Sequence, residues 1–136
     1  MKNFDQRGNV SIEFIAIITF LIIPVCFLAV AVLKVSETYL TLTSAARTGA
    51  RVFVVQASDS IAKARTLQVV DGQLEMGHLK ATQFSTAITC SEIPCLKPNS
   101  YVTVTLNGSH YVSLPLIKPI QIRLKASQTM AVDSLR

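Results

Sequence analysis

The sequence predicts an α+β fold in which a long N-terminal helix, half membrane-spanning and half exposed, packs on a small C-terminal antiparallel sheet. Three observations predict it. Residues Phe14 to Leu33 form an uncharged apolar run. No Gly or Pro then interrupts the chain from Lys34 until Gly49. From Phe84 onward apolar residues tend to recur at every second position, the period of a half-buried strand.

At 136 residues the chain has room for one domain plus an anchor. Only 15% of its residues are charged, against roughly 25% in an average soluble domain. The deficit is local, because residues 14–33 carry no charge and the rest reads as an ordinary polar domain. The net charge is +5, from 13 basic and 8 acidic residues. The basic residues are scattered, with no Lys/Arg run and no aromatic–basic interleaving, so no nucleic-acid partner is expected.

The apolar run is 20 residues long, which as a helix spans about 30 Å, the thickness of a bilayer's hydrocarbon core. Lys2 and Arg7 precede it, placing the N-terminus in the cytoplasm and the C-terminal domain outside. Pro24 lies mid-span, where it removes a backbone hydrogen bond and is expected to kink or loosen the helix. Cys26 reads as a small hydrophobe. One alternative is a cleaved secretory signal, since Ala29-Val30-Ala31 fits the small-x-small pattern before a cleavage site. The product would then be a small exported β-rich binding protein, or one held by its anchor if cleavage fails. The run is longer than the ~7–15 residues of a signal's apolar region, and Glu13 abuts it where an export signal gains nothing from an acid.

Glu13 is the residue that calls for a reason. A carboxylate at the edge of a membrane span is costly unless paired, and such residues usually mark function. The plainer reading is that it reaches the headgroups near the helix N-terminus, where its charge is favoured.

Beyond the membrane the same helix is expected to continue, from about Val10 to Gln56, with Leu40, Leu42 and Val54 suiting it. Ala46 and Ala50, and Ala45 and Gly49, are small residues four apart, which lets another backbone approach closely. This ridge packs either on the protein's own sheet or on another subunit's helix. Arg47 and Arg51 share one stripe, read as a solvated face. Ser58 can cap a second helix that Asp71-Gly72 ends. Residues 73–82 read as loop or short helix. A strand is expected over Phe84 to Thr89, and another over Ser100 to Leu106. Asn107-Gly108 then gives a hairpin signal leading into a strand near His110 to Leu114. Pro115 and Pro119 bracket a bend, and a strand follows from Ile120 to Ala126 with Arg123 and Lys125 on its solvent face. The sheet of three or four strands needs a helix over its apolar side.

Cys90 and Cys95 lie in a polar loop with Pro94 between them, and in an exported domain a disulfide is the default. With His78 and His110 they could form a metal set, but the histidines are too far apart in sequence for the usual pattern. No metal or other cofactor is expected. No phosphate-cradling loop and no nucleophile elbow occurs, and the chain is not expected to be an enzyme. Asn107-Gly108-Ser109 fits a glycosylation sequon but is read as a turn.

Gly8, four residues, then Glu13-Phe14 and an apolar helix resembles the processing signal of type IV prepilins. The opening Arg7-Gly8-x-Val10-x-x-Glu13-Phe14, with the later Ser44-Ala-Ala-Arg-Thr-Gly-Ala-Arg51, resembles the TadE/TadF-like minor pseudopilins of the tight-adherence (Flp) pilus system. The likeness covers roughly the first 55 residues and the remainder only in general pattern. It implies a pilin-like fold and a leader, residues 1–8, removed by a prepilin peptidase between Gly8 and Asn9. Residues 9–56 would be the long helix, in the membrane to about residue 33, and 57–136 the extracytoplasmic head. Glu13 would be the fifth mature residue, paired with a neighbouring subunit's N-terminal amine. Asn9 replaces the methylated phenylalanine of many type IV pilins, which leaves methylation open. The partners implied are the peptidase, other pilin and pseudopilin subunits, the bacterial inner membrane and the tight-adherence secretion machinery, in the service of surface adhesion and biofilm formation.

Overall fold

In the computed structural model, residues 9–114 and 117–134 are described. Helix α1 runs from Asn9 to Val54 as 46 unbroken residues, about 69 Å at 1.5 Å per residue. Helix α2 spans Asp59–Met76. A single 3₁₀ turn, Ala81–Gln83, leads into strand β1, Phe84–Cys90. Strand β2 is Tyr101–Leu114 and strand β3 is Ile117–Ala131. The three strands form one antiparallel sheet in the order β1-β2-β3. A long helix on a small antiparallel sheet is the α+β architecture that the change of period predicts.

Helix α2 buries Ala62, Thr66, Val70 and Leu74, one residue every four, so a single stripe faces α1. At its centre Gly49 of α1 lies against Val70 and Thr66, and the Thr66 hydroxyl donates to the Gly49 carbonyl at 3.2 Å. The α1 residues Leu42, Ala45, Ala46 and Ala50 join Val70, Leu74, Phe84, Val104, Leu106 and Ala126 in the main core. Phe53, Ala62, Cys95, Val102 and Val132 form a second cluster at the far end of the sheet. The opposite face of the sheet is hydroxyl-rich and exposed, with Thr103 bonded to Thr129 and Thr105 to Ser127.

Four local expectations are corrected. Asn107-Gly108 is not a turn but the interior of β2, pairing with Ser85 and Phe84 on one side and Lys125 and Leu124 on the other. Gly108 does not use a left-handed φ. Its missing side chain instead makes room for the Phe84 ring: a β-carbon there would stand 2.2 Å from Phe84 Cδ1 and 2.4 Å from the Gln83 carbonyl oxygen. Pairing on both sides of β2 and burial of Phe84 outweigh the turn propensity of the dipeptide. Second, α2 does not stop at Asp71-Gly72 but continues to Met76. The buried stripe extends to Leu74, and that burial exceeds the roughly 1 kcal/mol helix penalty of one glycine. Third, the cap expected of the Ser58 side chain is absent: its hydroxyl meets that of Ser60. Fourth, Pro119 lies within β3, at a shift of register between Val112↔Ile120 and Leu114↔Ile117. An edge strand tolerates a proline that an inner strand would not. The bend expected at Pro115 falls outside the described residues.

Candidate functional site

The exposed half of α1 is the feature that the fold itself does not use. Every described side chain from Ile12 to Leu33 is exposed except Phe27 and Ala31, which are half-buried. Fourteen large apolar side chains in this stretch, Ile12 to Leu33, face solvent. Burying such a side chain is worth about 1.5–3 kcal/mol, so tens of kcal/mol favour covering the stretch. Among the described residues, α1 is the one helix long and apolar enough to cross a membrane. Pro24 sits inside it without ending the helix.

Gly8 lies outside the described residues. Asn9 opens the helix, and Glu13 and Phe14 follow in its second turn, both exposed. Glu13 is the one charge between Arg7 and Lys34. Helical spacing sets it above Ile17 and Phe20 on an apolar face, and a shallow depression runs along Glu13, Ala16, Ile17, Phe20 and Leu21.

The small-residue ridge has a different surrounding. Ala45, Ala46, Gly49 and Ala50 are buried inside this chain, against α2 and the sheet. Of the two partners the spacing allowed, the chain's own fold takes the ridge. Arg47 and Arg51 are exposed on the other side of α1.

Cys90 and Cys95 are bonded to each other, which removes both thiolates from any metal set. The loop they close is held to α2 because the Cys95 amide donates to the Asp59 carboxylate at 2.8 Å. Ser100 fastens the same loop, its hydroxyl donating to the Cys95 carbonyl at 2.8 Å. His78 is exposed beyond the end of α2, whereas His110 is half-buried in β2. Cys26 is an exposed free thiol within the apolar stretch.

Phe27 and Ala31 are the residues to which the sequence assigned no part. With Val35, Thr38 and Leu42 they form a stripe at intervals of four, four, three and four that turns toward the sheet. The sheet-facing side of α1 therefore begins inside the apolar run. The spacing was present in the sequence, but in a run where every residue is apolar it carries no contrast.

Protein-family models, curated proteins and solved structures contain no match to the chain.

Proposed function

We propose that the protein is a structural, non-catalytic minor pilin or pseudopilin of the TadE/TadF-like kind, made as a membrane-held precursor and cut between Gly8 and Asn9. The observation that carries this reading is the uncovered apolar length of α1, with Glu13 as its single charge five residues after Gly8. Lys2 and Arg7 favour a cytoplasmic leader and a head on the far side of the membrane, which on this reading is a bacterial inner membrane. The Cys90–Cys95 disulfide is what an oxidising compartment would form. Cutting after Gly8 frees an α-amine at Asn9, a cation able to meet a carboxylate such as Glu13 on an adjacent subunit. That pairing removes the cost of a lone charge at the membrane edge, and it ties insertion into an assembly to prior processing. The head then serves as tip, initiator or regulatory subunit of a tight-adherence pilus.

The test is the N-terminal residue of the protein recovered from cells. Asn9 supports the proposal, Val32 indicates signal peptidase, and Met1 indicates an uncut anchor. Gly8→Glu is expected to abolish processing, because the scissile bond needs a residue without a side chain; unchanged processing overturns the proposal. Glu13→Ala is expected to leave cleavage intact and reduce the assembled protein, and wild-type assembly removes the pairing argument.

A further inference from the structure

We propose that the membrane-proximal part of the β2–β3 hairpin, residues 111–113 of β2 and 118–123 of β3, is a second membrane contact, resting on an anionic lipid leaflet at the point where α1 emerges from it. This rests on the reading of Phe14–Leu33 as a membrane span.

The level of the hairpin against the helix follows from two points of contact. Gly49 lies beside Val104, and Ala31 and Val35 lie beside Val112 across a shared apolar groove. Between Val104 and Val112 β2 advances eight residues, about 26 Å at 3.3 Å each. Between Gly49 and residues 35–31 the helix falls by 14–18 residues, about 21–27 Å. Strand and helix thus run side by side in opposite directions. The Leu114↔Ile117 pair is two residues further on, about 7 Å, which brings it to the level of Phe27. The half-burial of Phe27 and Ala31, in an otherwise exposed run, agrees with that level. The hairpin therefore overlaps the last turns of the membrane-length segment, and cannot stand clear of a bilayer that covers it.

Its composition suits that position. Of the side chains described between residues 112 and 120, Val112 and Ile120 are apolar, Ser113 carries a hydroxyl and Lys118 a charge. Pro119, within β3, has no amide hydrogen, which lessens the cost of bringing this edge strand near lipid. Ile120 is 49% exposed on the sheet face turned toward α1, and Tyr111 is 54% exposed on the other face. Tyrosine is favoured at the headgroup level. A groove of about 290 Å³, lined by Ala31, Val32, Val35, Val112, Ile120 and Ile122, continues the apolar surface of the span up under the hairpin. No strand carries an acidic residue, while Lys118 and Arg123 lie in the half of β3 nearer the membrane. Lys34, beside Val35, adds an exposed cation on the helix at the level of Val112 and Ile120. Apolar residues at the acyl boundary with Lys34 and Arg123 at or above them match an anionic interface, and Lys118, two residues nearer the membrane than Ile120, has a stem long enough to carry its charge up to the headgroups.

The experiment uses the full chain with Cys26→Ser, carrying an environment-sensitive NBD fluorophore at Ser113→Cys or, for comparison, at Ala131→Cys. Both positions are exposed, at opposite ends of the hairpin. The protein is reconstituted in phosphatidylcholine vesicles with and without phosphatidylglycerol. The label at residue 113 is expected to be reduced by dithionite several-fold more slowly than that at 131, and to be quenched by headgroup nitroxides. Omitting phosphatidylglycerol, or introducing Lys118→Glu with Arg123→Glu, is expected to diminish that protection. Equal reduction rates at the two labels in anionic vesicles overturn the proposal. So does protection that disappears when protein is diluted in lipid, which would assign the surface to a second copy of the chain. An alkaline carbonate wash keeps the two readings apart: release of the protein from vesicles refutes the span itself, whereas retention with equal label rates refutes only the hairpin contact.

Discussion

Replacing Gly108 by alanine tests whether this residue is a strand position made small for a neighbour. The added β-carbon would stand 2.2 Å from Phe84 Cδ1 and 2.4 Å from the Gln83 carbonyl oxygen. A ring can rotate away from such a contact, but a carbonyl at the start of β1 moves only if the strand moves with it. Overpacking of this kind costs typically 1–3 kcal/mol, and the backbone clash places this case toward the upper end. Alanine recovers about 0.4–1 kcal/mol by restricting the unfolded chain, which leaves a net loss of about 2 kcal/mol. For a head of about 80 residues, 57–136, that corresponds to a fall in Tm of roughly 8–16 °C. The assay is thermal unfolding of the full chain in detergent micelles, followed by pulse proteolysis of the head. Asn107→Thr is the companion variant, because a turn position with positive φ penalises a β-branched residue whereas an exposed strand position accepts it. Asn107 is exposed and paired with Ser85 and Lys125, so this change is expected to be neutral or slightly stabilising. A Tm for Gly108→Ala within two or three degrees of wild type, or a larger loss from Asn107→Thr, refutes the reasoning.

Gly72→Ala is expected to raise stability by about 0.5–1 kcal/mol, since Gly72 lies within α2 and a β-carbon there meets nothing within 4 Å; the same proteolysis series checks it. Thr66→Val removes the buried hydroxyl bonded to the Gly49 carbonyl and is expected to cost about 0.5–1.5 kcal/mol, seen as a lower denaturant midpoint with an unchanged slope. Opening the disulfide with Cys90→Ala and Cys95→Ala frees a loop of sequence separation 5, an expected loss of about 2 kcal/mol in the chain-entropy account. Reductant should lower the Tm of wild type and leave that of the double variant unchanged.

Much of the candidate site could be read before any coordinates. The length of the apolar run, the position of Glu13 and the absence of Gly and Pro between Lys34 and Gly49 are local facts, and α1 follows from them. The alternation Val102, Val104, Leu106 against Tyr101, Thr103, Thr105 likewise appears as buried and less buried faces of β2. Less legible were the ends of elements. Asn107-Gly108 and Asp71-Gly72 carry turn and stop signals of about 1 kcal/mol, and each was overruled by contacts with residues far away in sequence. Phe84 and Leu124 flank Gly108, and Leu74 draws α2 past Gly72 into the core.

The sequence by itself determined that this chain has an apolar helix of membrane length bearing one carboxylate, a short cysteine pair and a domain of alternating strands, because each depends on neighbours along the chain. Only the tertiary structure decided which partner covers the Ala45–Ala50 ridge, that β2 runs on through Asn107-Gly108, and how far the hairpin reaches down α1. Those outcomes depend on the relative level of helix and sheet, set by packing of Gly49 against α2 and Val104. No local pattern encodes that level, and it is what brings Val112 and Ile120 to the edge of the apolar run.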